Sequence, residues 1–281
     1  MRQHAVPFIQ WLVQNRLPLS VALITLNEEK NLRRCLESVR SLASEIVVVD
    51  SGSTDGTGDI AKSFGALFTF EKWQGHVAQK NLALGKCSQP WVLCLDADEE
   101  VSPELAESIR ARFNTGEPGE NGFEVNRRTF YLGRWIWHAW YPEWRVRLVR
   151  KSSARGVGRD PHDALEVSGT TGKLTGDLFH YSYEDLNDHL HKTLKYARLS
   201  AREMQRAGKI PRFTNLLFSP ALAFLKKLIF KQAWRDGWRG WLIAYSAFLG
   251  VFAKYAYMFE EKSNAEKDRS ATTSETGSNK S

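Results

Sequence analysis

Two aspartates one residue apart, Asp96 and Asp98, close the apolar run Trp91-Val92-Leu93-Cys94-Leu95. A second apolar run, Ile46-Val47-Val48-Val49, also stops at a carboxylate, Asp50, and leads into Ser51-Gly52-Ser53-Thr54-Asp55-Gly56-Thr57. Short β-branched runs that end abruptly at an acid read as buried parallel strands. Ligands of open α/β sheets bind beyond the carboxyl ends of such strands, so Asp50, Asp96 and Asp98 are expected along one edge. Side chains two apart on a strand end point the same way, which lets Asp96 and Asp98 share one ligand. A hard divalent cation on a diphosphate takes one or two carboxylates plus phosphate oxygens and water. Asp50, at its own strand end, can accept from the N–H edge of a uracil, whereas Asp55 reads as the cap of the following helix.

Periodicity predicts the elements that must carry these groups. Leu19 to Thr25 reads as a strand, and Leu32, Cys35, Leu36 and Val39 recur at helical spacing. Ile46 to Asp50 is the second strand, Thr57 to Phe64 a short helix, Leu67 to Phe70 a third strand, Gln79 to Leu84 a helix, and Trp91 to Asp96 a fourth strand. Ser102 as N-cap and Pro103 as the first helical residue start the next helix. Strands alternating with helices to about residue 113 predict an α/β fold with a doubly wound, mostly parallel sheet. Beyond it, Gly122–Arg128, Trp144–Arg150 and Lys173–Tyr181 read as extended segments. Ser182 through Asp185 resembles a capping box before a helical face of Leu186, Leu190, Leu194, Ala197, Ala201 and Met204. Residues after Glu261 are Ser, Thr, Asn, Gly and charges, the composition of a disordered tail.

The net charge of +7 over 281 residues is unevenly spread. Arg127 to Arg159 holds nine basic residues against one interior acid, Glu143, and Lys209 to Lys254 holds eight against Asp236. Such clusters suit phosphate-bearing substrates or an anionic membrane surface, and no nucleic-acid motif accompanies them. Cys35, Cys87 and Cys94 lack metal-site spacing and fit a reducing cytoplasm, and the N-terminus does not read as a secretion signal.

The order of Ile24-Thr25-Leu26-Asn27-Glu28, Val49-Asp50-Ser51-Gly52-Ser53-Thr54-Asp55-Gly56, Lys80-Asn81 and Leu95-Asp96-Ala97-Asp98-Glu99 resembles the family 2 glycosyltransferases of GT-A fold. The resemblance implies an inverting sugar transfer from a nucleotide-sugar, assisted by Mg²⁺ or Mn²⁺. By motif, Asp98 is the metal ligand, Asp50 contacts the base and Asp96 lies near the ribose. Thr25, Asn27, Glu28, Ser53 and Lys80 complete the nucleotide-sugar site, with Lys80 in reach of a donor phosphate. The chain departs from many relatives in having Ser51 after Asp50, and Leu26 where a tyrosine can stack on uracil. Downstream, Tyr131-Leu132-Gly133-Arg134-Trp135, Trp140-Tyr141-Pro142-Glu143, Arg145-Val146-Arg147-Leu148, Pro161-His162-Asp163 and Leu178-Phe179-His180-Tyr181-Ser182-Tyr183 resemble the bacterial lipopolysaccharide core β-1,4-glucosyltransferase branch. That branch implies glucose from UDP-glucose, added to the heptose inner core of a lipid-linked oligosaccharide acceptor.

Inversion is a single in-line displacement, so one carboxylate must take the proton of the attacking hydroxyl from within ~3 Å. Asp163 is the candidate base, with Glu143 the alternative. Glu143 stands alone in an arginine-rich run and equally reads as a salt-bridge acid. Arg145, Arg147 and Arg150 on a strand-like run read as one face for acceptor phosphates, joined by His162. The expected organisation is an N-terminal segment (1–18), a GT-A catalytic domain (19–183, divided at 113/114 into nucleotide-sugar and acceptor halves), a helical amphipathic extension (184–262) and the tail (263–281). Within that extension, Phe213 to Phe259 interleaves Phe, Leu and Trp with cations. This pattern is expected at the cytoplasmic face of the bacterial inner membrane, held peripherally at the interface. Rival readings are a polyprenyl-phosphate sugar transferase, a nucleotidyltransferase, and a non-catalytic membrane-bound sugar-nucleotide sensor.

Overall fold

Four of the apolar runs become neighbouring parallel strands in the computed structural model, which describes residues 16–114, 116–159 and 162–278. They are β1 (Leu17–Thr25), β2 (Ala43–Asp50), β3 (Leu67–Phe70) and β4 (Trp91–Asp96), in the order β3-β2-β1-β4. Register places Asp50 beside Thr25 and Asp96 beside Ile24, so both acids flank the carboxyl end of β1. Helices α1 (Glu29–Val39), α2 (Thr57–Ser63), α3 (His76–Lys86) and α4 (Pro103–Phe113) connect or follow these strands. Helix α1 buries Leu32, Cys35, Leu36 and Val39, the four residues of its sequence periodicity. Ser102 caps α4 by accepting from the Leu105 N–H at 3.1 Å, with Pro103 in the first turn. All three cysteines are buried and free.

The second half of the sheet is mixed rather than parallel. Its strands are β5 (Glu99–Val101), β6 (Gly122–Tyr131), β7 (Arg134–Trp135), β8 (Trp144–Arg150), β9 (Ala154–Arg159), β10 (His162–Val167) and β11 (Thr171–His180). The order continues β4-β8-β6-β11-β5, with β4–β8, β8–β6 and β11–β5 antiparallel and β6–β11 parallel. β8 returns beside β6 without an intervening helix, which forces an antiparallel pair. β9 and β10 form a separate two-stranded hairpin.

Two units divide the chain. The first comprises residues up to 130 together with 141–182; the second comprises 131–140 and everything from 183 onward. The segment 131–140, read in the sequence with the acceptor half, thus packs with the helices. Its Tyr131, Ile136 and Ala139 share a buried cluster with Ala233 and Ile243. Asp236 adds a carboxylate that accepts the N–H groups of Trp137, His138 and Ala139 at 2.8–3.1 Å.

The helices of the second unit are α5 (Leu186–Arg206), α6 (Phe213–Leu225) and α7 (Trp238–Ser278). The N-cap of α5 is Asp185, which accepts from Asp188 N–H at 2.8 Å, so the cap lies three residues past the expected Ser182. Its buried stripe runs through His189, Ala197 and Ala201, while Leu186 and Leu194 are exposed. Small residues win that face because α5 lies along α7, where a Cβ on Gly250 would meet Thr193 at 3.2 Å. Helix α7 continues through the expected tail to Ser278. Ala265, Glu266, Lys267 and Arg269 are good helix formers, and propagation from an existing helix needs no new nucleus. The expected N-terminal segment, apart from residues 16–18, lies outside the described residues, as do Pro161 and residues 279–281.

His189 is 2% exposed, and its Nδ1 lies 2.6 Å from the Tyr131 hydroxyl. Burial pushes its pKa down from 6.5 to about 4, while burial raises that of Tyr131 to about 12. The folded chain therefore keeps His189 neutral at pH values where the unfolded chain takes up a proton. This stability is fully present above pH 6.5 and declines as pH falls towards about 4. The melting temperature is expected to drop between pH 7 and pH 5, a loss of roughly 2 kcal/mol from this group. His189→Phe should flatten that drop; a pH dependence unchanged in the variant would exclude His189 as its source.

Candidate active site

The loops after β1 and β2 are joined by polar side chains into one rim. Asp50 accepts from Thr25 Oγ1 (2.8 Å), Gly52 N–H (2.8 Å), Ser53 N–H (2.7 Å) and Ser53 Oγ (2.5 Å). Burial raises its pKa, but the Ser53, Thr25 and Gly52 donors outweigh this and hold it below the usual carboxylate range. Both oxygens of Asp50, expected to meet a base, thus organise the turn that follows it. Gly52 makes that turn at φ +106°, backbone that a side chain rarely adopts. Asn27, itself at φ +56°, donates its N–H to Ser53 Oγ and accepts from the Thr54 N–H at 2.9 Å. Glu28 N–H donates to Thr57 Oγ1 at 2.8 Å, and with the Thr25–Asp50, Ser53–Asp50 and Asn27–Ser53 bonds it ties the loop after β1 to the loop after β2.

Leu26, just past β1, and Phe70, at the end of β3, are 52% and 65% exposed. A Cβ at position 52 would stand 3.4 Å from the Phe70 ring. Phe70 therefore offers an exposed aromatic face at the end of β3, beside Gly52.

The deeper part of the site is a chain of ion pairs. Lys80 on α3 reaches Asp96 Oδ1 at 2.9 Å and Asp163 Oδ2 at 2.7 Å. Burial opposes its charge, yet the two acids raise its pKa. Arg147 donates to Asp96 Oδ2 at 2.8 Å and to Glu99 Oε1 at 2.5 Å. Burial works against the Asp96 carboxylate, but Arg147 and Lys80 bring its pKa well below the ordinary value. Asn81, next to Lys80, exchanges two hydrogen bonds with the Gly156 backbone at 2.7 and 3.0 Å. Lys80 and Asn81 together thus hold the β9–β10 hairpin that carries Asp163.

Asp98 has a different neighbour. β4 ends at Asp96, and Ala97–Asp98 form a turn before β5, so strand alternation does not apply across the pair. Asp98 Oδ2 instead lies 3.4 Å from His180 Nε2. Burial raises the Asp98 pKa, and the contact with His180 turns the balance downward. His180 is buried, and its Nδ1 has no hydrogen-bond partner. Among the described residues no three His, Cys, Asp or Glu side chains form a closed metal cluster. A facing carboxylate and imidazole fit a divalent cation whose remaining ligands are diphosphate oxygens and water.

The arginine run is distributed among acids brought from elsewhere. Arg127 makes a two-pronged pair with Glu143 at 2.9 and 3.0 Å, and Arg145 adds a contact to the same acid at 2.7 Å. Burial raises the Glu143 pKa, but Arg127 and Arg145 hold it at about 2. Arg128 pairs with Asp177, and Arg150 with Glu117. Arg145 and Arg147 share a strand face, while Arg150, three positions on, turns to the opposite side over Trp91. The three arginines therefore do not form one anion-binding face. His162 belongs to β10, but its side chain lies outside the described residues.

The sequence assigns no separate site role to Glu99, Arg127, Asn81 or His180, although Asn81, Glu99 and His180 stand in the motifs quoted above. The only local signal was the unpaired surplus of arginine, which required buried acids from other parts of the chain.

The model of glycosyl transferase family 2 matches residues 20–164. The lipopolysaccharide core biosynthesis glycosyltransferase LpsC of Rhizobium meliloti is 34% identical over 87% of this chain and 93% of its own. An uncharacterized glycosyltransferase of Rickettsia typhi is 28% identical over 92% of this chain and 91% of its own. Among solved structures, glucosyl-3-phosphoglycerate synthase from Mycobacterium tuberculosis, in complex with Mn²⁺, UDP and glucosyl-3-phosphoglycerate, is 25% identical. That match covers 47% of this chain and 50% of that one, with a TM-score of 0.33.

Proposed function

The chain belongs to glycosyl transferase family 2, and on that footing we propose that it transfers glucose from UDP-glucose to the heptose inner core of lipopolysaccharide. The observation that carries the chemistry is the meeting of Asp96, Lys80 and Asp163 beside the Asp98–His180 pair. The 34% identity with LpsC over most of both chains supports the acceptor class.

In this reading Asp98 and His180 hold Mg²⁺ or Mn²⁺, which when bound offsets charge on the departing diphosphate. Asp163 takes the proton of the attacking heptose hydroxyl. Lys80 keeps Asp163 and Asp96 in fixed relation, so acceptor and donor sides move as one. The rim of Asn27, Ser53 and Thr54 lies toward the nucleoside, and Phe70 supplies an apolar face for the base. The test is release of UDP by the purified protein on lipopolysaccharide acceptor, followed by mass analysis of the product core. A mass gain of one hexose is expected; turnover only with polyprenyl phosphate would instead support the rival favoured by the apolar helices.

Membrane attachment completes the proposal. Two stretches, Phe213–Phe230 and Trp238–Asn264, are long and apolar enough to cross a membrane by length and composition; 6% of the first is buried, and 28% of the apolar 18-residue window of the second. Phe213, Phe218, Leu222, Phe230, Trp234 and Trp238 are exposed. Eight cations and one acid across residues 209–254 add attraction to anionic headgroups, roughly 1 kcal/mol for each cation that reaches the surface. We place this unit peripherally on the cytoplasmic face of the inner membrane. Replacing the exposed Phe218, Leu222 and Phe230 by Ser, which leaves the buried cluster around Ala233 and Ile243 in place, is expected to move the protein to the soluble fraction. High salt should release the full chain only in part, because apolar insertion is not screened. Full-length protein that ignores anionic vesicles at every salt concentration would rule attachment out, and extraction by detergent alone would favour a span.

A further inference from the structure

Glu99, at the start of β5, is 0% exposed. Its Oε2 accepts the Asp96 main-chain N–H at 3.0 Å. Its Oε1 accepts from Arg147 at 2.5 Å and from Arg127 at 3.4 Å. The Arg147 nitrogen that reaches Glu99 also reaches Asp96 Oδ2 at 2.8 Å. A closed circuit results, from Asp96 N–H to Glu99, from Glu99 to Arg147, and from Arg147 back to the Asp96 carboxylate. The turn that carries Asp98 lies inside this circuit. On its far side Glu99 pairs in register with His180, and the Asp98 carbonyl accepts from Tyr181 N–H at 2.9 Å.

We propose that Glu99 is a positioning residue for the cation site: it closes the 96–99 turn, pins Arg147, and thereby fixes how Asp96 and Asp98 present their carboxylates. The inference rests on Asp98 as the cation ligand in the function proposed above. The chemistry requires a carboxylate of this length. Both Glu99 oxygens accept, so an amide must turn its NH₂ toward either the Asp96 N–H or the Arg147 guanidinium, donor against donor. An aspartate keeps the charge, but its side chain is one methylene short of spanning from β5 to both partners. With Glu99 lost, Arg147 has Asp96 as its remaining acid and draws that side chain toward itself.

The experiment uses the full-length protein as wild type, Glu99→Gln and Glu99→Asp. Mn²⁺ is titrated calorimetrically in the presence of UDP, UDP binding is measured in chelator, and circular dichroism melts report the fold. Outer-shell partners of metal ligands typically change metal affinity by 10–100-fold, so the Mn²⁺ Kd is expected to rise at least ~10-fold in folded variants. Metal-free UDP binding should weaken less than Mn²⁺ binding, because Asp96 belongs to the circuit whereas the rim of Asn27, Ser53 and Thr54 does not. Folded variants that bind Mn²⁺ as wild type does would overturn the inference. Loss of fold in both variants would overturn it too, since Glu99 would then be a structural counter-ion only. Wild-type protein that binds no Mn²⁺ beside UDP would instead remove the cation reading, and this inference with it.

Discussion

Asp98→Asn is expected to abolish sugar transfer while leaving the fold intact. The carboxylate faces His180 across 3.4 Å, in a turn whose main chain is held separately by the Tyr181 N–H. The amide keeps the size of the side chain and removes the charge that a divalent cation requires. Electrostatic stabilisation of a leaving group is worth several kcal/mol, so kcat/KM should fall by roughly 10³-fold or more. The measurement is turnover across a Mn²⁺ series alongside a thermal melt. Near-normal transfer by a folded variant at ordinary metal concentration would remove Asp98 from the metal site.

Asp163→Asn should lower kcat by ~10²–10⁴-fold, the usual contribution of a general base, with a smaller effect on donor KM. Lys80 retains an oxygen partner in the variant, so the hairpin stays anchored through both Lys80 and Asn81. Glu143→Gln is the matched control. Burial raises the Glu143 pKa, but Arg127 and Arg145 bring it to about 2, and so weak a base takes a proton poorly near neutral pH. Its replacement leaves the largely buried Arg127 with less counter-charge, so the expected loss is in melting temperature rather than in kcat alone. Were the kcat loss to follow Glu143 and spare Asp163, the base would be reassigned.

Local pattern alone determined the strand ends at Asp50 and Asp96, the buried face of α1, and the Ser102-Pro103 start of α4. Each depends on a period or a cap within a few residues, and such signals survive in a linear reading. The family was legible for the same reason, because its motifs sit in loops directly after those strands. Tertiary structure decided which acid each arginine meets. Lys80 and Asp163 are 83 positions apart, and Arg147 and Glu99 are 48 apart. The pairing of β8 with β4 brings Arg147 to Glu99, and the β9–β10 hairpin packed on α3 brings Asp163 to Lys80. A run with one interior acid therefore read as suited to phosphates, whereas Arg127, Arg128, Arg145, Arg147 and Arg150 each hold a carboxylate. The same distance hid the separation of Asp96 from Asp98. Nothing in the spacing of D-x-D reveals that a turn follows Asp96, or that β11 brings His180 to Asp98. A buried charge must find its partner in space, and sequence order carries no record of that distance.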